Sequence, residues 1–561
     1  MKYRHLIITL LIALVIGACS STPAVDDGAP EVATPEVVHL RLLAFNDFHG
    51  ALEGPSGSVM VDGESVEAGG AAILAAHLDA ERGEAHYTTV VAAGDLIGAT
   101  PLISALFHDE PTIEIMNTIG LDVASVGNHE FDQGVDELLR IAHGGCHPEE
   151  GCREDHDYTG ADFPYLAANV RFRDTGETIF PPYLIREYAG LQIAYVGMTL
   201  ENTPQVVVPS AVETVTFHNE VETVQALMPE LEEQGVDAIF VVVHEGAYPG
   251  DGSTDIGDCN DVTGPQVDLA RAMSEDIPVI VGGHSHLAYI CDIDGTLITQ
   301  ASSSGRVVTV IDIHIDTATG EIVEKSARQR ATTHDLEPHL EVSTMVDSYA
   351  ALADVRANRV VGQITEELPR GPRRTAGESP IGRLIADAQL AATAEEAGAQ
   401  IAFMNPGGIR AALSFETEGR EEPGQVTYAQ LHTIQPFNNV LITMSLTGEQ
   451  IHRLLEQQWR EDATHHLAIS QGFSYVYDPE APFGERVDPT TIKLHGEVID
   501  AGETYRVTVN NFMADGGDGF AVLKEGTDRT RGIIDLDALA SYVEANSPLE
   551  PITEERARPV E

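Results

Sequence analysis

Six short runs rich in valine and isoleucine punctuate the first half of this chain, and five of them close on side chains able to bind a metal. The runs are 38–45, 88–93, 122–126, 193–198, 238–243 and 277–281. Each is followed by a Gly, Asn, Asp or His turn, as buried strands of α/β layers are. The first closes on Asn46-Asp47-Phe48-His49 and the second on Gly94-Asp95. The third closes on Gly127-Asn128-His129-Glu130-Phe131-Asp132, the fifth on His244-Glu245-Gly246, and the sixth on Gly282-Gly283-His284-Ser285-His286. In open α/β sheets ligands gather outside the carboxyl ends of strands. Asp47 and His49 stand two apart, so an extended backbone points both the same way, and His284 and His286 repeat that geometry. One such residue alone is usually a hydrogen-bonded histidine or a turn aspartate. Five such ends in one domain point to a shared metal centre. A mixed set of His, carboxylate and amide suits zinc, manganese or iron better than calcium, which prefers all-oxygen cages.

At 561 residues the chain exceeds what one core supports, and two domains are expected. The alternation changes near residue 336, where Val342, Met345, Val346, Tyr349 and Leu352 recur at helical spacing and predict a connecting helix. The organisation read from this pattern is a first domain over 38–335, a linking helix over 336–357, a second domain over 358–548 and a charged tail over 549–561. The 32 basic against 89 acidic residues give a formal charge of −57. A surface that negative repels nucleic-acid polymers and anionic membrane faces. It also means that any phosphate ligand needs local metals or arginines.

Lys2 and Arg4 precede an apolar run over 6–18. A membrane-spanning helix needs roughly twenty residues, so this shorter run reads as the core of a signal peptide. It ends Ile16-Gly17-Ala18-Cys19, which resembles a bacterial lipobox with Cys19 as the lipidated residue, so 1–19 is expected to be a lipoprotein signal. A plain signal peptide with an incidental cysteine is the alternative. Ser20, rather than Asp, favours the outer membrane in a cell that has one. Residues 20–37, with Pro23, Pro30 and Pro35, read as a disordered tether. The expected protein is therefore exported and held in the cell envelope, touching membrane only through its lipid. The remaining cysteines, Cys146, Cys152, Cys259 and Cys291, are even in number, as two disulfides require. Of the possible pairings, Cys146 with Cys152 and Cys259 with Cys291 is the most local.

The second half carries its own motifs. Asn405-Pro406-Gly407-Gly408-Ile409-Arg410 follows a strand-like run over 400–404, and Asn511-Phe512-Met513-Ala514-Asp515-Gly516-Gly517-Asp518-Gly519-Phe520 follows another over 504–509. Gln435-Pro436-Phe437-Asn438-Asn439 lies between them. Glycines admit a ligand close to the backbone, an arginine fork grips phosphate, and a phenyl ring stacks on a base.

The order Asp-x-His, Gly-Asp, Gly-Asn-His-Glu, His and Gly-His-x-His is that of the calcineurin-like metallophosphoesterases. With the C-terminal motifs it resembles the bacterial 5′-nucleotidase family, which includes UDP-sugar hydrolases and 2′,3′-cyclic nucleotide phosphodiesterases. The resemblance implies an α/β chain: a four-layered metallophosphoesterase sandwich, a linking helix and an α/β substrate domain. It implies two divalent ions (zinc, manganese, cobalt or iron), one on Asp47, His49 and His286, the other on Asn128, His244 and His284, with Asp95 bridging. Some relatives carry Gln or Asn where His286 stands. It further implies in-line attack on phosphorus by a hydroxide that the metals hold, with His129 assisting and Asp132 orienting its imidazole. For the substrate it implies a base between Phe437 and Phe512 and touched by Asn405, ribose on Asp518, and phosphate on Arg410. Arg383 matches a family helix start, and a further arginine, Arg373 or Arg374, stays open. Pro406 stands where the family usually has Gly. The expected activity is release of phosphate from nucleoside 5′-phosphates. Cyclic phosphodiester hydrolysis, UDP-sugar or dinucleotide hydrolysis, thiosulfate-ester hydrolysis and a non-catalytic binding lipoprotein are the alternatives. The sequence leaves oligomeric state open.

Overall fold

The structure, a computed structural model, describes residues 36–83, 85–148, 151–152, 157–250, 255–273, 277–371, 378–416, 422–460 and 464–560. The expected signal with Cys19, most of the tether, and Arg373 and Arg374 lie outside the described residues.

Strand Val37–Phe45 is central to the first domain. It pairs in parallel with Tyr87–Ala93 and antiparallel with Val307–Asp316. The six-stranded sheet runs Ile322–Ala331, Val307–Asp316, Val37–Phe45, Tyr87–Ala93, Val123–Ser125, Tyr165–Leu166. A second six-stranded sheet runs Ala288–Ile293, Thr296–Ala301, Val279–Val281, Ala238–His244, Leu191–Thr199, Tyr183–Tyr188. Side-chain alternation explains why the sheets stack. Val38, Leu40, Leu42 and Ala44 join Ile193, Tyr195, Phe240 and Val242 in the core between them. The opposite-facing Leu43 and Phe45 pack instead with Leu74, Leu78 and Ile113 from the helices outside. Ile239, Val241 and Val243 face the other helical layer, with Val267 and Ala270. Two sheets between two helical layers make a four-layered sandwich, in which each fully buried aliphatic side chain contributes about 1.5–3 kcal/mol.

Helix Leu340–Ala357 joins the domains, with His339 accepting from the Val342 amide at its start. Val342, Val346, Tyr349 and Ala353 are its buried face, whereas Leu352 is 64% exposed. The second domain is a five-stranded sheet in the order Ala468–Ile469, Ile401–Met404, Thr504–Asn510, Val440–Thr447, Thr527–Ile534. Helices Pro380–Ala397 and Asp535–Asn546 contribute to the core on one side, and Leu102 from the first domain joins that core.

Residues 549–561, expected to be a charged tail, are largely built into this domain. Leu549 bridges to Ile364, and Ala557–Pro559 runs parallel to Phe473–Tyr477. Arg556 donates to both oxygens of Asp387 at 2.7 and 2.9 Å in a buried pair. A three-residue strand has too little alternation to read, and the arginine that anchors it reads as surface until its carboxylate partner is seen. Both disulfides take the most local pairing, Cys146–Cys152 and Cys259–Cys291. Among the described residues, no helix is long and apolar enough to cross a membrane.

Candidate metal centre and substrate cleft

Six of the predicted ligands sit in the turns that follow their strands, His244 is the last residue of its own strand, and the topology brings the five ends to one point. Asp47 Oδ1 lies 3.1 Å from His286 Nε2, and His49 Nε2 lies 3.2 Å from the same nitrogen. Beside them Asp95 Oδ2 is 3.0 Å from His244 Nε2 and 3.8 Å from His49 Nε2. Asn128 Oδ1 completes the group, 3.2 Å from His244 Nε2 and 3.0 Å from His284 Nδ1. Asp95 thus stands between the Asp47, His49, His286 set and the Asn128, His244, His284 set.

The backbone is bent to make this meeting. Asp47, His49, Asp95, His284 and His286 all take left-handed conformations, with φ of 48°, 48°, 51°, 72° and 60°. Such residues cost about 1–3 kcal/mol each and persist only where their surroundings over-determine them. The glycines beside them are required by close approach. A Cβ on Gly127 would stand 2.1 Å from Asp95 Oδ1, and one on Gly94 would stand 2.6 Å from His244 Nδ1.

Hydrogen bonds fix which ring nitrogen faces inward. His49 Nδ1 donates to the Gly98 carbonyl and His244 Nδ1 to the Ala93 carbonyl, both at 2.8 Å, so each Nε2 faces the centre. Asp47 and Asp95 are fully buried. Burial disfavours a charged His244, yet the Asp95 and Asp47 carboxylates outweigh it and lift its pKa to about 10. The cluster therefore demands positive charge, and its mixed imidazole, carboxylate and amide donors fit divalent transition ions.

His129 Nδ1 donates to Asp132 Oδ2 at 2.7 Å, and its backbone amide donates to Asp95 Oδ1 at 2.8 Å. Burial opposes protonation of this imidazole, but Asp132 and Asp95 prevail and raise its pKa. Its ring stacks on Phe437 at 5.8 Å between centroids and 12° between planes, and the Arg410 guanidinium lies 5.6 Å from the Phe437 centroid. The two domains thus meet across a cleft of about 210 Å³. One wall holds Asn128, His129, Asp132, His284 and the apolar stretch Val206, Val207, Val208; the other holds Asn405, Gly407, Gly408, Arg410, Phe437, Asn439, His465, Phe512 and Asp518. Asn405 donates through Nδ2 to Asp518 Oδ2 at 2.7 Å and accepts at Oδ1 from Asn510 Nδ2 at 3.0 Å.

Two family profiles match the two halves: calcineurin-like phosphoesterase over residues 40–288, and 5′-nucleotidase, C-terminal domain, over residues 360–525. The chain belongs to the 5′-nucleotidase family. This 5′-nucleotidase family member is a metal-dependent phosphoesterase. It is 34% identical over 524 residues to Endonuclease YhcR of Bacillus subtilis, covering 92% of this chain and 40% of that longer protein. It is 28% identical to the 5′-nucleotidase of Vibrio vulnificus, with 98% of both chains covered. The 5′-nucleotidase precursor from Thermus thermophilus superposes with a TM-score of 0.73 at 28% identity, covering 93% of this chain and 99% of that one.

One predicted substrate residue does not reach the cleft of this family member. Arg383 lies in the first turn of helix Pro380–Ala397, where it is buried and bonded to the Glu378 and Ile552 carbonyls and the Glu378 carboxylate. A helix-start motif places the backbone, but the side chain turned inward toward acceptors that only the fold supplies. Three residues escaped the sequence reading. Glu130 accepts from the amides of Asp95, Leu96 and Gly127 at 2.9, 2.7 and 2.6 Å and so ties two ligand turns together. Burial, with repulsion from Asp95, lifts its pKa to about 7. Asn46 donates to Asp47 Oδ2 and to the Ser302 carbonyl at 2.6 and 2.7 Å. Both stood inside the quoted motifs, and their adjacency to ligands was the available signal. His465 lies in the cleft, 3.6 Å from Asp518, and nothing in its local sequence marks it.

Proposed function

We propose that this chain hydrolyses nucleoside 5′-phosphates outside the cytoplasm, using two divalent ions held by Asp47, His49, His286, Asn128, His244, His284 and a bridging Asp95. One observation carries the reading: a single cleft has Asn128 and His284 of the metal-capable cluster on one wall, with His129, and two phenyl rings, an arginine and a carboxylate on the other. Bound ions would lower the pKa of a water and offset charge on the phosphoryl oxygens. The protein's own residues do the rest. Asp132 holds His129 Nδ1, leaving Nε2 to present a proton to the phosphoryl or leaving oxygen. Arg410 pairs with the phosphate, Phe437 and Phe512 take the base, and Asp518, aligned by Asn405, accepts from ribose hydroxyls. The apolar strip Val206–Val208 excludes water from the far side.

The −57 charge opposes a polyanion. Export is supported by the two disulfides, by the N-terminal run ending at Cys19, and by 28% identity to a Listeria monocytogenes protein named as a cell wall protein. A panel of AMP, 2′,3′-cyclic AMP and a UDP-sugar, run with manganese, zinc and cobalt, tests the reading. Phosphate release from AMP that chelator abolishes is expected. Preference for either diester would replace the monoester assignment, and no turnover at all would sink the enzymatic reading of this cleft.

A further inference from the structure

A second group of metal-capable side chains lies away from the strand ends. His108 follows helix Leu102–Ala105 in a turn at φ 55°, Glu137 lies in the first turn of helix Val135–His143, and His147 sits inside the Cys146–Cys152 loop. That loop is closed again by backbone pairing between His147 and Gly151. The His108 and His147 rings are parallel, 3.8 Å apart at 5°. A ring nitrogen of each and a carboxylate oxygen of Glu137 all lie within 4.8 Å of one another, and all three residues are half-buried. Arg140 holds both Glu137 oxygens at 2.9 and 2.8 Å, and the same guanidinium binds Glu110 at 2.7 Å and the Gly145 carbonyl at 2.8 Å.

We propose that His108, Glu137 and His147 form a further binding site for a divalent transition-metal ion, of the zinc class, separate from the hydrolytic centre. A ring nitrogen of each imidazole and a Glu137 oxygen are close enough together for one cation to reach all three. Two histidines and one carboxylate, with a fourth position left to water, are a ligand set that zinc accepts. Ligand atoms around a tetrahedral ion at about 2.1 Å stand about 3.4 Å apart, so side-chain rotation closes the present span. Glu110 and Glu137 outnumber Arg140 in charge, and Arg140 fixes the carboxylate as an outer-shell partner does. The three residues come from three separate segments and none lines the cleft, so hydrolysis does not account for their meeting. A bound ion would pin the disulfide loop to the helix and turn beneath it.

The test is metal content of the full-length chain, stripped with chelator, reloaded with zinc, desalted and measured by mass spectrometry. Wild type is expected to hold one zinc ion per chain more than the His108→Ala/His147→Ala variant, with AMP hydrolysis by the variant unchanged. His147→Ala alone, whose residue lies on a surface loop, is expected to lose the same ion while melting like wild type in chelator. Equal zinc content in wild type and both variants would overturn the site. The difference is independent of how many ions the strand ends hold. A chain that keeps the extra ion but turns over no nucleotide would remove the proposed function and leave this site standing.

Discussion

The two walls of the cleft are built differently. On the metallophosphoesterase side the candidate ligands are mostly buried, five of them in left-handed backbone; carbonyls hold the His49 and His244 rings, amides hold the two carboxylates, and Glu130 holds the backbone of two turns. On the facing side Arg410, Phe437, Phe512 and Asp518 are half-buried, and they stand on loops and short helical turns rather than strands. Left-handed backbone concentrates at the candidate ligands, and the facing wall is less buried. The first wall should therefore tolerate nothing, and the second should respond by degrees.

The largest effect is expected at Asp95. Asp95→Ala should abolish phosphate release from AMP and lower bound metal, read by assay and metal analysis; full activity would break the contrast at its strongest point. His129→Ala should lower kcat by about 10²–10⁴-fold with metal content unchanged. A loss confined to KM would instead assign His129 to substrate binding. Glu130→Gln touches no substrate, yet should cost about 10–100-fold in activity or metal affinity, as partners of ligands do. Wild-type values for both would mean that the ligand turns hold without it. Across the cleft, Phe512→Ala should weaken AMP recognition by about 1–3 kcal/mol, while leaving a simple phosphate ester unaffected. Equal losses on both substrates would place the ring outside base recognition.

The last effect concerns the stability of the second domain. Burial lifts the pKa of Asp535 to about 8. Between the unfolded pKa near 4 and that value, the folded chain keeps a proton that the unfolded chain has lost. Stability therefore falls as pH rises through this window, by up to about 1.4 kcal/mol per unit. Asp535→Asn should flatten the slope of urea midpoints between pH 5 and pH 8. An unchanged slope would show that Asp535 is ionised in the fold.

Some of this was legible without a structure. The runs at 38–45 and 238–243 needed only hydrophobic pattern and turn residues, and the structure returns them as Val37–Phe45 and Ala238–His244. Ligand candidates were legible because strand ends in α/β sheets are where side chains converge, and Asp47, Asp95 and His244 each follow a readable run. Side-chain direction was not legible. Arg383 turned inward to Glu378 and Ile552, and Arg556 turned a supposed tail into a strand by finding Asp387.

The sequence by itself determined the alternation, the five chemically equipped strand ends, the break into two domains and the excess of negative charge. These are local properties of spacing and residue type, and they survive without knowledge of any partner. Only the tertiary structure decided that Phe437 would lie against His129, that Glu130 would tie two ligand turns, and that His108, Glu137 and His147 would meet. Each of those contacts joins positions whose proximity is set by packing of whole layers, and no pattern along one strand or helix encodes it.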